Sequence, residues 1–195
     1  MEEQKVEGIV LKTVPFKEND RILTLYTPQQ GVMSLYVQGL SKKKPALTNL
    51  ATPLCRGEYL FRKGRSDLHK FFDGTILDLH LPLRKSYTHL QVGGKILQTI
   101  HETQLPGKSS PALYALLVSY LKKLGDATFP ETLLASFHLK LLKHEGVLSL
   151  ENLPSSLDEK TIHILTTTRQ FEPLLDLELP PSLLKGIDAL LAAQF

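Results

Sequence analysis

The chain predicts an α+β architecture: a closed barrel of five short strands over residues 1–81, then an α-helical domain over residues 82–195. Two observations carry that prediction. Apolar residues alternate with a period of two, in short runs, as far as residue 81, and from Leu83 onward they recur every three or four residues. Charge shifts at nearly the same place. Residues 1–90 hold 14 Lys and Arg against 9 Asp and Glu, whereas residues 91–195 hold 9 against 11.

The first strand is expected from Val6 to Thr13, around Ile9, Val10 and Leu11. The second, Arg21 to Thr27, sets Leu23 and Leu25 against Ile22, Thr24 and Tyr26. The third, Val32 to Gln38, sets Met33, Leu35 and Val37 against Ser34, Tyr36 and Gln38, the pleat of a sheet with unlike faces. Pro28-Gln29-Gln30-Gly31 joins these two as a tight turn. Glu58 to Lys63 and Leu68 to His80 complete the set around the turn Gly64-Arg65-Ser66-Asp67. Five such strands are too few for a two-layer sandwich but enough to close a barrel. The longest strand-free gap, Gly39 to Pro53, falls between the third and fourth strands, where an OB barrel carries its longest insertion. An SH3-like barrel is the competing closure.

Leu83, Tyr87, Leu90, Gly94 and Leu97 mark a stripe along the first long helix. Ser110-Pro111 reads as the N-cap and first turn of the second. Its Leu113, Leu116, Leu117, Tyr120, Leu121 and Leu124 are followed by Gly125 in the place of a left-handed cap. Pro130 opens a third helix with Leu133, Leu134, Phe137 and Leu141, closed by Gly146. Ser156 and Glu159 form a capping-box pair ahead of a fourth, and Pro180-Pro181 precede a last one.

Hydrophobic residues make up 42% of the chain and charged residues 22%, so wholesale disorder is not expected. No apolar run approaches the roughly 18–20 residues that span a bilayer, and the acidic start Met1-Glu2-Glu3 does not read as a secretory leader. The lone cysteine, Cys55, excludes an internal disulfide and an all-cysteine metal site and points to the reducing cytosol. There is no phosphate loop, dinucleotide fingerprint, nucleophile elbow or zincin helix. His138 and His144 are six residues apart on a helix, and Asp73 and Asp78 face opposite ways on a strand, so neither pair suits metal binding or acid–base work. Neither catalysis nor a cofactor nor a metal is expected.

The basic residues are better placed. Lys42, Lys43 and Lys44 occupy the long gap, Arg62, Lys63, Arg65 and Lys70 flank the last hairpin, and Lys12, Lys17 and Arg21 complete a rim. Such cations neutralise phosphates without reading sequence. Tyr26, Tyr36, Tyr59, Phe61, Phe71 and Phe72 offer rings for stacking bases, although half or more must fill so small a core. A merely solvated loop is the plain alternative for Lys42–Lys44.

Gly8-Ile9-Val10-Leu11-Lys12-Thr13, Glu18-Asn19-Asp20-Arg21, Thr27-Pro28-Gln29-Gln30-Gly31, Val37-Gln38-Gly39 and Gly64-Arg65-Ser66-Asp67-Leu68 follow one another in an order that resembles the N-terminal domain of the bacterial RecO family of recombination mediators. Phe137-His138-Leu139-Lys140-Leu141-Leu142 and Gly146 extend the likeness more thinly. The resemblance implies an OB fold joined to a helical domain, without catalysis, in the bacterial cytosol and at the nucleoid. It implies binding of single- and double-stranded DNA, annealing of complementary strands and, with RecR, loading of RecA onto strands coated by SSB. The basic positions after Gly39 and in the hairpin carry over as DNA contacts. With Lys12 and Arg21 the candidate set is Lys12, Arg21, Lys42, Lys43, Lys44, Arg62, Lys63, Arg65 and Lys70.

Two departures stand out. Gln38 takes the place of a lysine often found before the glycine, and the four-cysteine zinc module of many relatives has no counterpart, so a short form with a reduced helical lobe is expected. SSB's tail, acidic with an apolar end, requires cations beside an apolar pocket; Lys122, Lys123, Lys140 and Lys143, with His144, near Leu124 and Leu141 are the candidates. A protein-interaction adaptor that touches no DNA and an RNA-binding barrel are the alternative functions.

Overall fold

The structure, a computed structural model, describes residues 3–40, 44–64, 66–148, 159–168 and 170–195. Strands β1 (Glu3–Lys17), β2 (Asp20–Thr27), β3 (Gly31–Val37), β4 (Arg56–Arg62) and β5 (Leu68–Asp78) close a barrel in the order β1-β2-β3-β5-β4. Neighbours are antiparallel except β3 and β5, which run parallel. Closure removes the free sheet edges, and the order is that of the OB fold. Val10, Leu23, Leu25, Leu35, Val37, Tyr59, Phe61 and Phe71 fill the interior, so the alternation read in β2 and β3 points the expected residues inward.

The long gap holds a helix that the alternation does not reveal. Helix α1 (Pro45–Leu50) starts with proline in its first turn, where the missing N–H costs nothing. It presents Leu50 to the barrel: a Cβ on Gly57 or Gly74 would lie 2.7 Å from the Leu50 side chain, so both strands are notched to receive it. The Tyr59 hydroxyl donates to the Leu50 carbonyl at 3.1 Å. Strand β1 also runs past its expected end at Thr13. A register shift between Pro15 and Lys17 accommodates the residue that lacks a ladder donor.

The Thr-x-x-x-Gly motif is a turn in physical terms. The Thr27 hydroxyl donates to the Gly31 carbonyl at 3.0 Å and accepts from the Gln30 N–H at 3.1 Å. Gly31 has φ 63°, and a Cβ on it would lie 2.6 Å from the Leu105 carbonyl oxygen, so only glycine fits.

After a 3-10 turn at Leu81–Lys85 come α2 (Tyr87–Thr103), α3 (Pro111–Leu124), α4 (Pro130–His144), α5 (Glu159–Thr167), α6 (Glu172–Leu175) and α7 (Pro181–Ala192). No described helix is long and apolar enough to cross a membrane. The chain forms two compact units, Met1–Pro82 with Leu97–Leu116, and Leu83–Ile96 with Leu117–Phe195. The stretch Leu97–Leu116, whose sequence reads with the helices, thus groups with the barrel strands. Polar bonds account for it: Gly107 N–H donates to the Gln30 carbonyl at 2.9 Å, Ser110 N–H to that of Pro28 at 3.1 Å, and the Tyr114 hydroxyl to Glu7 at 2.9 Å.

Two helical expectations are corrected. Tyr87 is 80% exposed and Leu90 is also exposed, whereas Val92, Ile96, Leu97 and Ile100 are buried. Leu83 belongs to the separate 3-10 turn, so its stripe does not continue in register into α2. The turn after α3 closes through the Asp126 and Ala127 N–H groups on the Lys123 and Leu124 carbonyls, and its Gly125 is not among the glycines of positive φ, unlike Gly146 at 73°. In the second unit α4 is buried nearly all round, including Thr132, Ser136 and His138. The Ser136 hydroxyl donates to the Leu165 carbonyl at 2.6 Å and bonds the Tyr120 hydroxyl at 2.7 Å. Ser156 of the expected capping box lies outside the described residues.

Candidate nucleic-acid interface

Register sets what the barrel's outer face presents. Ile22 of β2 pairs with Tyr36 of β3, Tyr36 with Lys70 of β5, and Lys70 with Arg62 of β4. Paired residues share a face. Lys70 and Arg62 are exposed while Leu35, Phe61 and Phe71 beside them are buried, so the row points outward. Phe72 is the extra residue of a bulge opposite Leu60 and Phe61, and the bulge turns its ring out to 40% exposure. The Arg62 guanidinium lies 5.4 Å from that ring. Phe16, 51% exposed, meets Tyr36 edge to face at 5.5 Å, with the Lys17 ammonium 5.7 Å from it.

Folding brings some of the candidate cations together and separates others. Lys44 and Lys70, 26 positions apart in sequence, line one groove of about 650 Å³ beside Gln38 and Phe72. Arg62 adjoins it through Phe72 and also pairs with Glu3 at 2.7 Å, an exposed ion pair that contributes little. Lys12 is exposed on β1, opposite Thr24. Arg21 lies in a different cleft with Thr13 and Asn19, and Lys63 in a third with Gln30, Asp67 and His69. Lys42, Lys43 and Arg65 lie outside the described residues.

Asp20 fixes part of this surface. Its carboxylate accepts from the Tyr36 hydroxyl and, at 3.0 Å, from the Gly39 N–H, tying the β1–β2 turn to the end of β3 where Gly39 has φ 69°. Those two hydrogen bonds, the Tyr36 one foremost, hold the Asp20 carboxyl below its usual range. The Gln38 amide donates to the same Tyr36 hydroxyl at 3.2 Å. On the last hairpin the His69 ring stacks on Phe61 at 5.2 Å, and its Nδ1 accepts from the Gly64 N–H at 3.4 Å. Burial, reinforced by Lys63, lowers the His69 pKa and favours that neutral acceptor.

The candidates on the helices are placed differently. The Lys140 ammonium donates to the Thr168 carbonyl at 2.7 Å and lies 5.2 and 6.0 Å from the Tyr120 and Phe171 rings. Lys123 faces Asp126 at 3.5 Å, while Lys122 and Lys143 are exposed. Leu124 and Leu141 are fully buried, so they belong to the helical core and form no open apolar pocket, which corrects that expectation. Phe16 escapes a reading that ends the first strand at Thr13. The signal that finds it is the alternation Lys12, Val14, Phe16 continuing across Pro15.

Residues 1–80 match the family described as the recombination protein O N-terminal domain. The chain is 30% identical over 145 residues to the DNA repair protein RecO of Chlamydia pneumoniae, covering 74% of this chain and 57% of that one. To the protein of the same name from Clostridium acetobutylicum it is 30% identical over 146 residues, covering 73% and 58%. For Moorella thermoacetica the figures are 29% over 143 residues, 73% and 53%. The chain thus spans little more than half the length of these curated relatives. The barrel order, the Thr27–Gly31 turn and the Asp20–Gly39 tie give the ordered motifs their structural reasons, and with the family match they identify residues 1–80 as the N-terminal domain of the RecO family.

Proposed function

We propose that this chain is a DNA repair and recombination mediator whose barrel binds single- and double-stranded DNA and anneals complementary strands. One observation carries the reading: Lys44 and Lys70 line a single groove with the exposed Phe72 ring, and Arg62 lies beside that ring. Two strands repel through their phosphates, and a cationic face held across both lowers that repulsion without reading bases. The repair context is supported by the names of the relatives. In this reading the protein works with RecR to load RecA onto SSB-coated strands. The chain acts by binding, with no catalytic step of its own.

Fluorescence anisotropy with a labelled oligonucleotide across a salt series tests the reading. Saturable binding that weakens as salt rises is the expected result, together with faster pairing of complementary labelled strands. A protein that gives no saturable, salt-sensitive signal at low salt would be an adaptor instead.

A further inference from the structure

We propose that Phe16 with Tyr36, and separately Phe72, stack on unpaired bases, so that the barrel's outer face selects single-stranded over double-stranded DNA; this rests on the DNA-binding reading above. The structure sorts the barrel's rings into two classes. Tyr26, Tyr59, Phe61 and Phe71 are buried and offer nothing to a ligand. Phe16 and Phe72 are exposed, and each has a cation beside its ring, Lys17 and Arg62 respectively. An exposed phenylalanine with a cation at hand matches one nucleotide, with the ring for the base and the charge for its phosphate.

The platform is preset. The Tyr36 hydroxyl is held by Asp20 and Gln38, so the ring against which Phe16 packs is fixed before any ligand arrives. Phe72 is aimed outward by a bulge in the backbone. Lys70 occupies the strand between Tyr36 and Arg62, about 4.8 Å from each neighbouring strand, so cations and a ring share one row across the face.

Selectivity follows from what each form of DNA exposes. In a duplex the flat faces of the bases are already stacked on one another, and only their edges reach the grooves. A protein ring reaches a face there only by unstacking a step, which costs a few kcal/mol. Single strands present those faces freely. Cations therefore serve both forms, while the rings serve one.

The test uses the full chain and the double variant Phe16→Leu, Phe72→Leu, which keeps apolar bulk at two exposed positions and leaves the core intact. Three probes of equal length are compared by anisotropy: an oligothymidine strand, the same backbone with abasic sites, and a duplex. The unaltered protein should bind oligothymidine more tightly than the abasic strand, by about fivefold for each stacked ring. The variant should lose that advantage while its affinity for the abasic strand and the duplex, and its salt dependence, stay unchanged. Equal weakening on all three probes, or undiminished binding to oligothymidine, overturns the proposal while DNA binding stands. An unaltered protein that binds none of the three overturns the DNA-binding reading itself.

Discussion

Lys70 and Lys140 are the same residue put to opposite uses. Lys70 stands on the outside of β5 and lines an open groove with Lys44. Lys140 lays its ammonium over Tyr120 and Phe171 and donates to the Thr168 carbonyl, and burial lowers its pKa, with Lys143 adding to the effect. In the barrel unit charge is presented to solvent beside exposed rings; in the helical unit a cation is drawn in to complete the packing. A count of basic residues cannot distinguish an interface from a packing device, because the difference lies in which neighbours the fold supplies.

The contrast can be broken most strongly at the barrel's plug. Leu50→Ala should cost about 3 kcal/mol, because it empties the notch between Gly57 and Gly74, and urea unfolding would register the loss. Lys140→Ala should cost about 1–2 kcal/mol by the same measurement, since the cation over the two rings and its hydrogen bond disappear together, and leave oligonucleotide affinity untouched. A Lys140 variant that stayed stable but bound DNA weakly would erase the distinction between the two lysines.

Tyr114→Phe separates the barrel's polar ties from its core packing through pH. Burial would raise the Glu7 pKa, but hydrogen bonds from Arg56 and Tyr114 outweigh it and hold the carboxyl below its ordinary value. The folded state therefore binds fewer protons than the unfolded chain in acid. Glu7's contribution is complete above the ordinary carboxylate range and is lost as pH falls through its lowered pKa. Removing the Tyr114 donor should cost about 1 kcal/mol at neutral pH and less in acid, read from unfolding midpoints at the two pH values. The smallest effect on stability is expected for Lys44→Ala with Lys70→Ala, within about 0.5 kcal/mol. The same pair should flatten the salt dependence of single-strand binding by about 0.7 for each phosphate no longer neutralised.

The strands were legible in the sequence because a closed barrel has one wet and one dry face, which forces Leu23, Leu25, Met33, Leu35 and Val37 into strict alternation. The turn residues were legible in part for a local reason: Thr27 bonds Gly31 across four positions, and Gly31 and Gly39 take positive φ. Helix α1 was not, since a six-residue helix is too short to show a period and is held by Leu50 reaching strands that follow it in the chain. The α2 stripe misled because periodicity gives a spacing but not the phase of the buried face.

Local pattern and ordered motifs were enough for the barrel, the change to helices and the family of the N-terminal domain. Which cations share a groove, which rings face outward and which lysine is packed away were decided by tertiary structure alone. Those facts depend on cross-strand register, on a bulge at Phe72 and on the meeting of residues distant in the chain, and no local spacing encodes them.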